Sequence, residues 1–284
     1  MIIARTIKEV RENIGEWRRE GLSVGLVPTM GYLHEGHASL VDRARAECGK
    51  VVVSDFVNPT QFAPNEDLEA YPRDFEHDCN LLEEHGCDMV FYPSVGEMYA
   101  PNAATYVEIL DEMPKQLCGK TRPIHFRGVC TVVSKLFNIV QPDKAFFGQK
   151  DAQQLAVIRR MVRDLSYGIE IVGCPIVRES DGLAKSSRNT YLNAEERKAA
   201  LVLSKAVFRG EELVRSGVTD SGKILAEMTE IISAEPLAKI DYISAADGET
   251  ILPADEITDG VLVAVAVYIG KTRLIDNFIA GGLK

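Results

Sequence analysis

The sequence predicts an α/β fold: a mainly parallel sheet with helices on both faces, followed by a smaller α+β domain. Three observations carry this reading. Short apolar runs rich in β-branched residues alternate with segments of helical periodicity from Val24 to Val177. The runs Val24–Val27 and Val51–Phe56 flank one such segment within roughly 30 residues, the span of a βαβ unit. Beyond Val177 helices precede strands instead of alternating with them. The 284 residues suit one large domain or two smaller ones, and the pattern places a first domain at 1–178 and a lid-like second at 179–284.

The elements follow in order. Thr6 to Glu20 carries Ile7, Val10, Ile14 and Trp17 at near-helical spacing, with Gly21 as the stop. The strand Val24–Val27 leads into a polar loop, and a helical pattern runs from Ala38 to about Cys48. Val51–Phe56 is the next strand and runs directly into a second polar loop, Val57 to Phe62. A helix over Arg73–His85 and a strand over Asp88–Tyr92 come next. A helix over Val129–Val140 precedes the short strand Lys144–Phe147 and the loop Gly148–Asp151. The helix Gln153–Asp164 and the strand Ile169–Val177 complete the first domain. In the second, Glu195–Ser216 and Ile224–Ser233 read as helices, Ile240–Ala245 and Val261–Ile269 as strands.

Composition narrows the function classes. At 46% hydrophobic and 26% charged residues it is that of a globular chain. The net charge of −10 argues against a general affinity for nucleic acid or an anionic membrane, though a locally basic pocket for a small anion remains compatible with it. None of the six cysteines forms a C-x-x-C pair, which points to neither a zinc site nor a disulfide framework. The N-terminus lacks a signal-like apolar region, and the longest apolar run, Val261–Ile269, is too short to span a bilayer. A cytoplasmic, reducing setting is expected.

Three loops at predicted strand C-termini are the candidates for a site, because parallel sheets bind ligands beyond those ends. Pro28 to His37 holds two glycines and opens a helix with His34 and His37, three apart and therefore on one face. Taken alone, it also fits an ordinary loop with two surface histidines. Asn58 and Gln61 offer neutral amides for hydroxyls or a carboxylate, or serve as loop filler. In Gly148-Gln149-Lys150-Asp151 the glycine permits close backbone approach and Lys150 supplies a point charge, unless it is a solvated turn lysine. Either Gln153 or Gln154 can face the same cleft. A fourth segment, Lys185-Ser186-Ser187-Arg188-Asn189, gathers phosphate-directed donors and reads equally as a polar linker. His125 lies in a basic, glycine-bearing turn, and His77 and His85 are read as structural. Gly270-Lys271-Thr272 lacks the first P-loop glycine, Val265 standing in its place, so Lys271 is a surface or hairpin residue. Neither a G-x-G-x-x-G nor a G-x-S-x-G occurs.

The four segments Pro28–His37, Phe56–Phe62, Phe147–Leu155 and Lys185–Asn189, in that order, resemble the pantoate–β-alanine ligase family over essentially the whole chain. His34-Glu35-Gly36-His37 is similar to the H-x-G-H signature of the wider nucleotidylyltransferase superfamily, and Lys185 to Arg188 looks like its second, K-M-S-K-S-type element. The resemblance implies a Rossmann-like sheet and an ATP-dependent condensation of pantoate with β-alanine through a pantoyl adenylate, releasing pyrophosphate and then AMP. It implies ATP along Met30, Gly31, Tyr32, Leu33, His34, Glu35, Gly36 and His37, along Gly148, Gln149, Lys150 and Asp151, near Val177, and along Lys185, Ser186, Ser187 and Arg188. It places pantoate and β-alanine at Gln61 and pantoate at Gln154, with Asn58 in the same pocket. His37 is the implied proton donor, and His34, His37, Lys150 and Arg188 the implied catalytic set. Mg²⁺ with ATP and a homodimer are implied as well. The family often has Glu at position 149 and an apolar residue at 185, so Gln149 is expected to act mainly through its backbone. The rival reading is a nucleotidylyltransferase of the same superfamily acting on another substrate. Asn58, Gln61 and Gln154 weigh against it, because they fit a polyhydroxy-acid pocket.

Overall fold

The computed structural model describes residues 1–64 and 66–282. In chain order the elements are β1 (Ile2–Ala4), α1 (Ile7–Arg19), β2 (Val24–Thr29), α2 (Glu35–Glu47), β3 (Lys50–Asp55), α3 (Phe75–Glu84), β4 (Met89–Phe91), α4 (Val95–Met98), α5 (Cys118–Thr121), α6 (His125–Val140), β5 (Lys144–Gly148), α7 (Ala152–Asp164) and β6 (Glu170–Cys174). They continue with α8 (Ala194–Ala199), α9 (Leu201–Arg215), α10 (Ser221–Ser233), β7 (Ala238–Asp247), β8 (Val261–Ile269) and β9 (Thr272–Ile279). The chain divides into two compact units. The first comprises Met1–Leu110, Arg122–Gly148 and Val157–Cys174; the second comprises Asp111–Thr121, Gln149–Ala156 and the chain from Pro175 onward. The sequence pattern places a single boundary at 178, whereas two short internal segments join the later residues. Gln153 shows why: its buried amide holds the backbone of Met113, Gln116 and Cys118.

The first unit is built on six parallel strands in the order β1-β4-β3-β2-β5-β6. From β2 the chain steps to β3 on one side, while β5 pairs with the other edge of β2. The strand order therefore reverses between β2 and β5, and the loop after β2 leaves the sheet at that switch point. Val27, Val51, Val53, Val90 and Phe146 pack with Leu40, Val41 and Ala44 of α2 and Leu82 of α3. Each such side chain, fully buried, is worth about 1.5–3 kcal/mol, which is why these strands read as unbroken apolar runs. Helix α1 starts at Thr6 with a capping box to Glu9, buries Val10, Ile14 and Trp17, and stops before Gly21 at φ 74°.

Two boundaries differ instructively from the sequence pattern. Helix α2 begins at Glu35 instead of Ala38, because His34 itself is the N-cap. Helix α6 begins at His125 instead of Val129, although Arg127-Gly128 has turn composition. Its glycine is a packing requirement: a Cβ there would collide with the carbonyl of Thr60 and lie 2.6 Å from Gln61 Cα.

The second unit carries an antiparallel sheet, β7-β8-β9. Val263, Val265, Val267 and Ile269 pack with Leu203 and Val207 of α9 and Ile224, Met228 and Ile232 of α10. Lys271 sits in the β8–β9 hairpin after Gly270 at φ 58°. The predicted helix Glu195–Ser216 is two helices, α8 and α9, meeting at Ala200. No helix among the described residues is long and apolar enough to cross a membrane.

Candidate active site

The loop after β2 turns on two residues in the left-handed region, Gly31 at φ 78° and Tyr32 at φ 53°. Only glycine fits at position 31, since a Cβ would run into the Asp55 carboxylate and lie 3.2 Å from Asp78 Oδ2. Asp78 of α3 accepts from the Tyr32 N–H at 2.7 Å and the Leu33 N–H at 2.6 Å, and so fixes the turn from beneath. His77, read from the sequence as structural, lies within 3.2 Å of the Leu33 carbonyl through Nε2.

The two histidines cap α2 reciprocally. His34 Nδ1 accepts from Gly36 N at 3.1 Å, and His37 Nδ1 accepts from His34 N at 3.3 Å. An accepting Nδ1 in a neutral ring puts the proton on Nε2. Both rings thus carry their N–H on the edge turned away from the cap, with centroids 4.1 Å apart. They stand at the positive end of a 13-residue helix, where anionic groups are stabilised.

The loop after β3 presents Gln61, whose amide nitrogen donates to Met30 Sδ at 3.0 Å. Asn58 is buried and fully engaged. Its Nδ2 donates to Gln61 Oε1 at 3.1 Å and to the Gly128 carbonyl at 3.2 Å, while its Oδ1 accepts from Tyr99 and Thr60. Asn58 therefore orients Gln61. Beneath Gln61, His125 is buried and donates from Nδ1 to the Gln61 carbonyl at 3.0 Å, leaving Nε2 to face Arg122 at 3.2 Å. Arg122 is paired with Glu66 through two hydrogen bonds, at 2.9 and 2.7 Å. Burial opposes the charge on Glu66, but Arg122 wins and holds that carboxyl below its ordinary range.

Gly128 is the point where α6 touches this loop, so Gly128→Ala pushes the Gln61 backbone away. An overpacked contact costs about 1–3 kcal/mol. The expected result is a Tm lowered by several degrees, at roughly 2–4 °C per kcal/mol. An unchanged Tm would show that the Thr60–Gln61 backbone gives way without cost.

In the second unit, the residues after Gly148 are held by Asn277 of β9. Its Nδ2 donates to the Gln149 carbonyl at 3.1 Å and the Lys150 carbonyl at 2.9 Å. Gln149 is buried against Asn277, and its Oε1 has no partner among the described residues. Lys150 projects beside Asp151, with Nζ 3.8 Å from its carboxylate. Of the two glutamines that follow, Gln153 is buried and committed to backbone, whereas Gln154 is half-buried.

The other predicted segments form one tight turn. Lys185 N donates to the Val177 carbonyl at 2.9 Å, and Arg178 bridges Ala184, so Val177 lies beside Lys185. Ser186 caps a short 3₁₀ turn, Ser187–Tyr191, its Oγ accepting from Arg188 N at 3.3 Å. Asn189 ties the turn to Glu179 and to the Ala184 carbonyl. Arg178 makes a bidentate pair with the buried Asp276, at 2.7 and 2.9 Å, next to Asn277.

Sequence reasoning missed Asp55, Asp78, Arg122, Gly128 and Asn277. Of these, only Asn277 had a visible signal: with its neighbour Asp276 it interrupts an otherwise apolar strand pattern near the end of the chain.

A family model for pantoate–β-alanine ligase matches residues 2–279. The pantothenate synthetase of Ruminiclostridium cellulolyticum is 59% identical over 96% of both chains. That of Enterococcus faecalis is 56% identical over 98% of both. Among solved structures, pantothenate synthetase from Thermus thermophilus superposes with a TM-score of 0.94 at 46% identity over 99% of both chains. Pantoate–β-alanine ligase from Francisella tularensis, complexed with β-γ ATP and β-alanine, gives 0.82 at 34% identity, covering 100% of this chain and 99% of that one.

Proposed function

The chain belongs to the pantoate–β-alanine ligase family, and from that membership we propose that it joins its two substrates in an ATP-dependent, two-step reaction. In the first step the pantoate carboxylate attacks the α-phosphorus of ATP, giving pantoyl adenylate and pyrophosphate. In the second the β-alanine amine attacks the acyl carbon and AMP leaves with the bridging oxygen.

The reciprocal histidine cap at the switch point of the sheet is the observation that carries this reading. A carboxylate is already ionised at neutral pH, so the first step needs no base. Its barrier lies in bringing two anions together and spreading charge over the α-phosphate, which makes positioning and electrostatic stabilisation the main terms. The Nε2–H groups of His34 and His37 and the α2 N-terminus are donors suited to that charge. Lys150, Lys185 and Arg188 are the cations proposed for the same phosphates, with Ser186, Ser187 and the backbone of Gly148 to Asp151 contributing further donors.

Gln61 is proposed to bind pantoate. Its amide N–H now meets a thioether, a weak acceptor that a carboxylate or hydroxyl oxygen displaces readily. Gln154 is the second amide proposed for pantoate, and both are neutral, so they orient the nucleophile without quenching it. Asn58 serves by holding Gln61. Mg²⁺ is proposed to enter with ATP, held chiefly by phosphate oxygens and water. Among the described residues no group of three His, Cys, Asp or Glu side chains gathers into a metal cage. A homodimer in the cytoplasm is the proposed working form, with the mass in sedimentation as the check.

The test incubates purified protein with ATP, Mg²⁺ and pantoate, with and without β-alanine. Pantoate-dependent pyrophosphate release is expected first, then AMP and pantothenate once β-alanine is added. Nucleotide turnover indifferent to pantoate would overturn the reading.

A further inference from the structure

Asp55 and Asp78 are both buried, Asp55 at the end of β3 and Asp78 on α3, and both border the place where a Gly31 side chain would sit. We propose that the two form a carboxyl–carboxylate pair sharing one proton, and that Asp55 is thereby a positioning residue for the turn that presents His34 and His37. The proposal rests on the adenylating function above and adds a pH dependence to it.

The location of the proton follows from the hydrogen bonds. Each Asp78 oxygen accepts one backbone N–H, from Leu33 and Tyr32, and such bonds favour the ionised form. Among the described residues Asp55 has no comparable backbone donors. Burial and the neighbouring Asp78 carboxylate push it up to about 7, whereas Asp78, also raised by burial, is pulled back by those two amides. The proton therefore resides on Asp55 and is donated to Asp78. Other titratable or charged groups near the pair are Asp74 at the N-cap of α3 and His77 and Cys79 within it; His34, Glu35 and His37 follow the turn in sequence, and Arg5 beyond β1 and Glu83 on α3 act on Cys79. Of these, a charge on His77 offsets the negative charge of Asp78 and Asp74 reinforces it.

When Asp55 ionises, two carboxylates share one buried site directly under Gly31. Repulsion then acts on the acceptor that fixes Tyr32 and Leu33, and the turn loses its support. Asp55→Asn keeps a donor toward Asp78 and removes the titration.

Pyrophosphate release without β-alanine is the proper readout, because it excludes the pH dependence of the attacking amine. The rate ratio of Asp55→Asn to the parent is expected to rise by about tenfold or more between pH of about 6 and 8.5, since a group titrating near 7 is almost wholly ionised at the upper end. A ratio constant within roughly twofold overturns the proposal. Two measurements read the pair without turnover. The Asp55 carboxyl carbon, assigned by its loss in Asp55→Asn, should titrate near neutrality in carbon NMR; titration near 4, the ordinary value, overturns the shared proton. The sign for stability follows likewise: a carboxyl raised in the folded state stabilises fully below the unfolded value and loses that contribution as pH rises through about 7. The Tm of Asp55→Asn relative to the parent should therefore climb from pH of about 5 to 8, and a flat difference overturns the pair. If the parent released no pantoate-dependent pyrophosphate at any pH, the adenylation reading would fail, while NMR and Tm would still decide the pair.

Discussion

His37→Ala is expected to lower pantoate-dependent pyrophosphate release on the order of 100- to 1000-fold, the loss typical of one donor to developing charge. Lys150→Ala is expected to fall in the same range. The two variants probe different parts of the chain, since His37 belongs to α2 and Lys150 follows β5. His37→Ala removes the Nε2–H and also the acceptor for His34 N, and a lost cap costs about 1 kcal/mol. Helix α2 survives that loss because Ala38, Leu40, Val41 and Ala44 anchor it in the core. His37→Gln retains an acceptor and a donor and should recover part of the rate. In Lys150→Ala the backbone stays held by Asn277, so the effect isolates the ammonium. A rate for either alanine variant within threefold or so of the parent, well short of the loss expected for a phosphate donor, would remove that residue from the site.

Arg178→Met is expected to be strongly destabilising. Asp276 is 2% exposed, and Arg178 supplies both of its guanidinium bonds. Removing the arginine leaves a buried carboxylate with, among the described residues, only the Asn277 N–H, and breaking a buried pair from one side costs about 3–5 kcal/mol. Arg178 is itself partly exposed, which argues for the lower end. At roughly 2–4 °C per kcal/mol for a chain of this class, Tm should drop by about 10 °C. Asp276 is the sequence neighbour of Asn277, so the ATP KM should also rise through Lys150 in the protein that remains folded. An unchanged Tm would mean that water replaces the guanidinium, and the pair would then have no structural role.

The parts of the fold legible in the sequence were those whose local pattern and tertiary environment agree. Thr6 and Glu9 announce α1, and Val10, Ile14 and Trp17 are its buried stripe. Val261–Ile269 was legible to the residue as β8, because it is buried along nearly its whole length. The elements missed were those with weak or contradictory local signals. Strand β1 has three residues and exists by pairing with β4. Strand β9 breaks its apolar pattern with Asp276 and Asn277, which are buried only because Arg178 and the Gln149–Lys150 backbone satisfy them. The first turn of α6 contains Gly128, whose composition suggests a turn, while the close passage of the Thr60–Gln61 backbone requires it.

The candidate site divides along the same line. Chain order and residue type alone determined the alternating α/β framework, the loops at strand ends and the family resemblance carried by His34, His37, Gln61, Lys150 and Arg188. These are local properties: periodicity, turn residues and short motifs that act within a few positions of one another. Only the tertiary structure decided which amide orients and which remains available, making Asn58 a support for Gln61 and committing Gln153, unlike Gln154, to the backbone of Met113, Gln116 and Cys118. It also decided the tautomers of His34 and His37, the placing of Asp55 and Asp78 beneath the Pro28–His37 loop, and the hold of Asn277 on Lys150. The physical reason is that a buried polar group takes its role from whichever donor or acceptor the fold brings within about 3 Å. Partners 37 to 127 residues apart in sequence, from Gln153–Gln116 to Asn277–Lys150, leave no periodic trace.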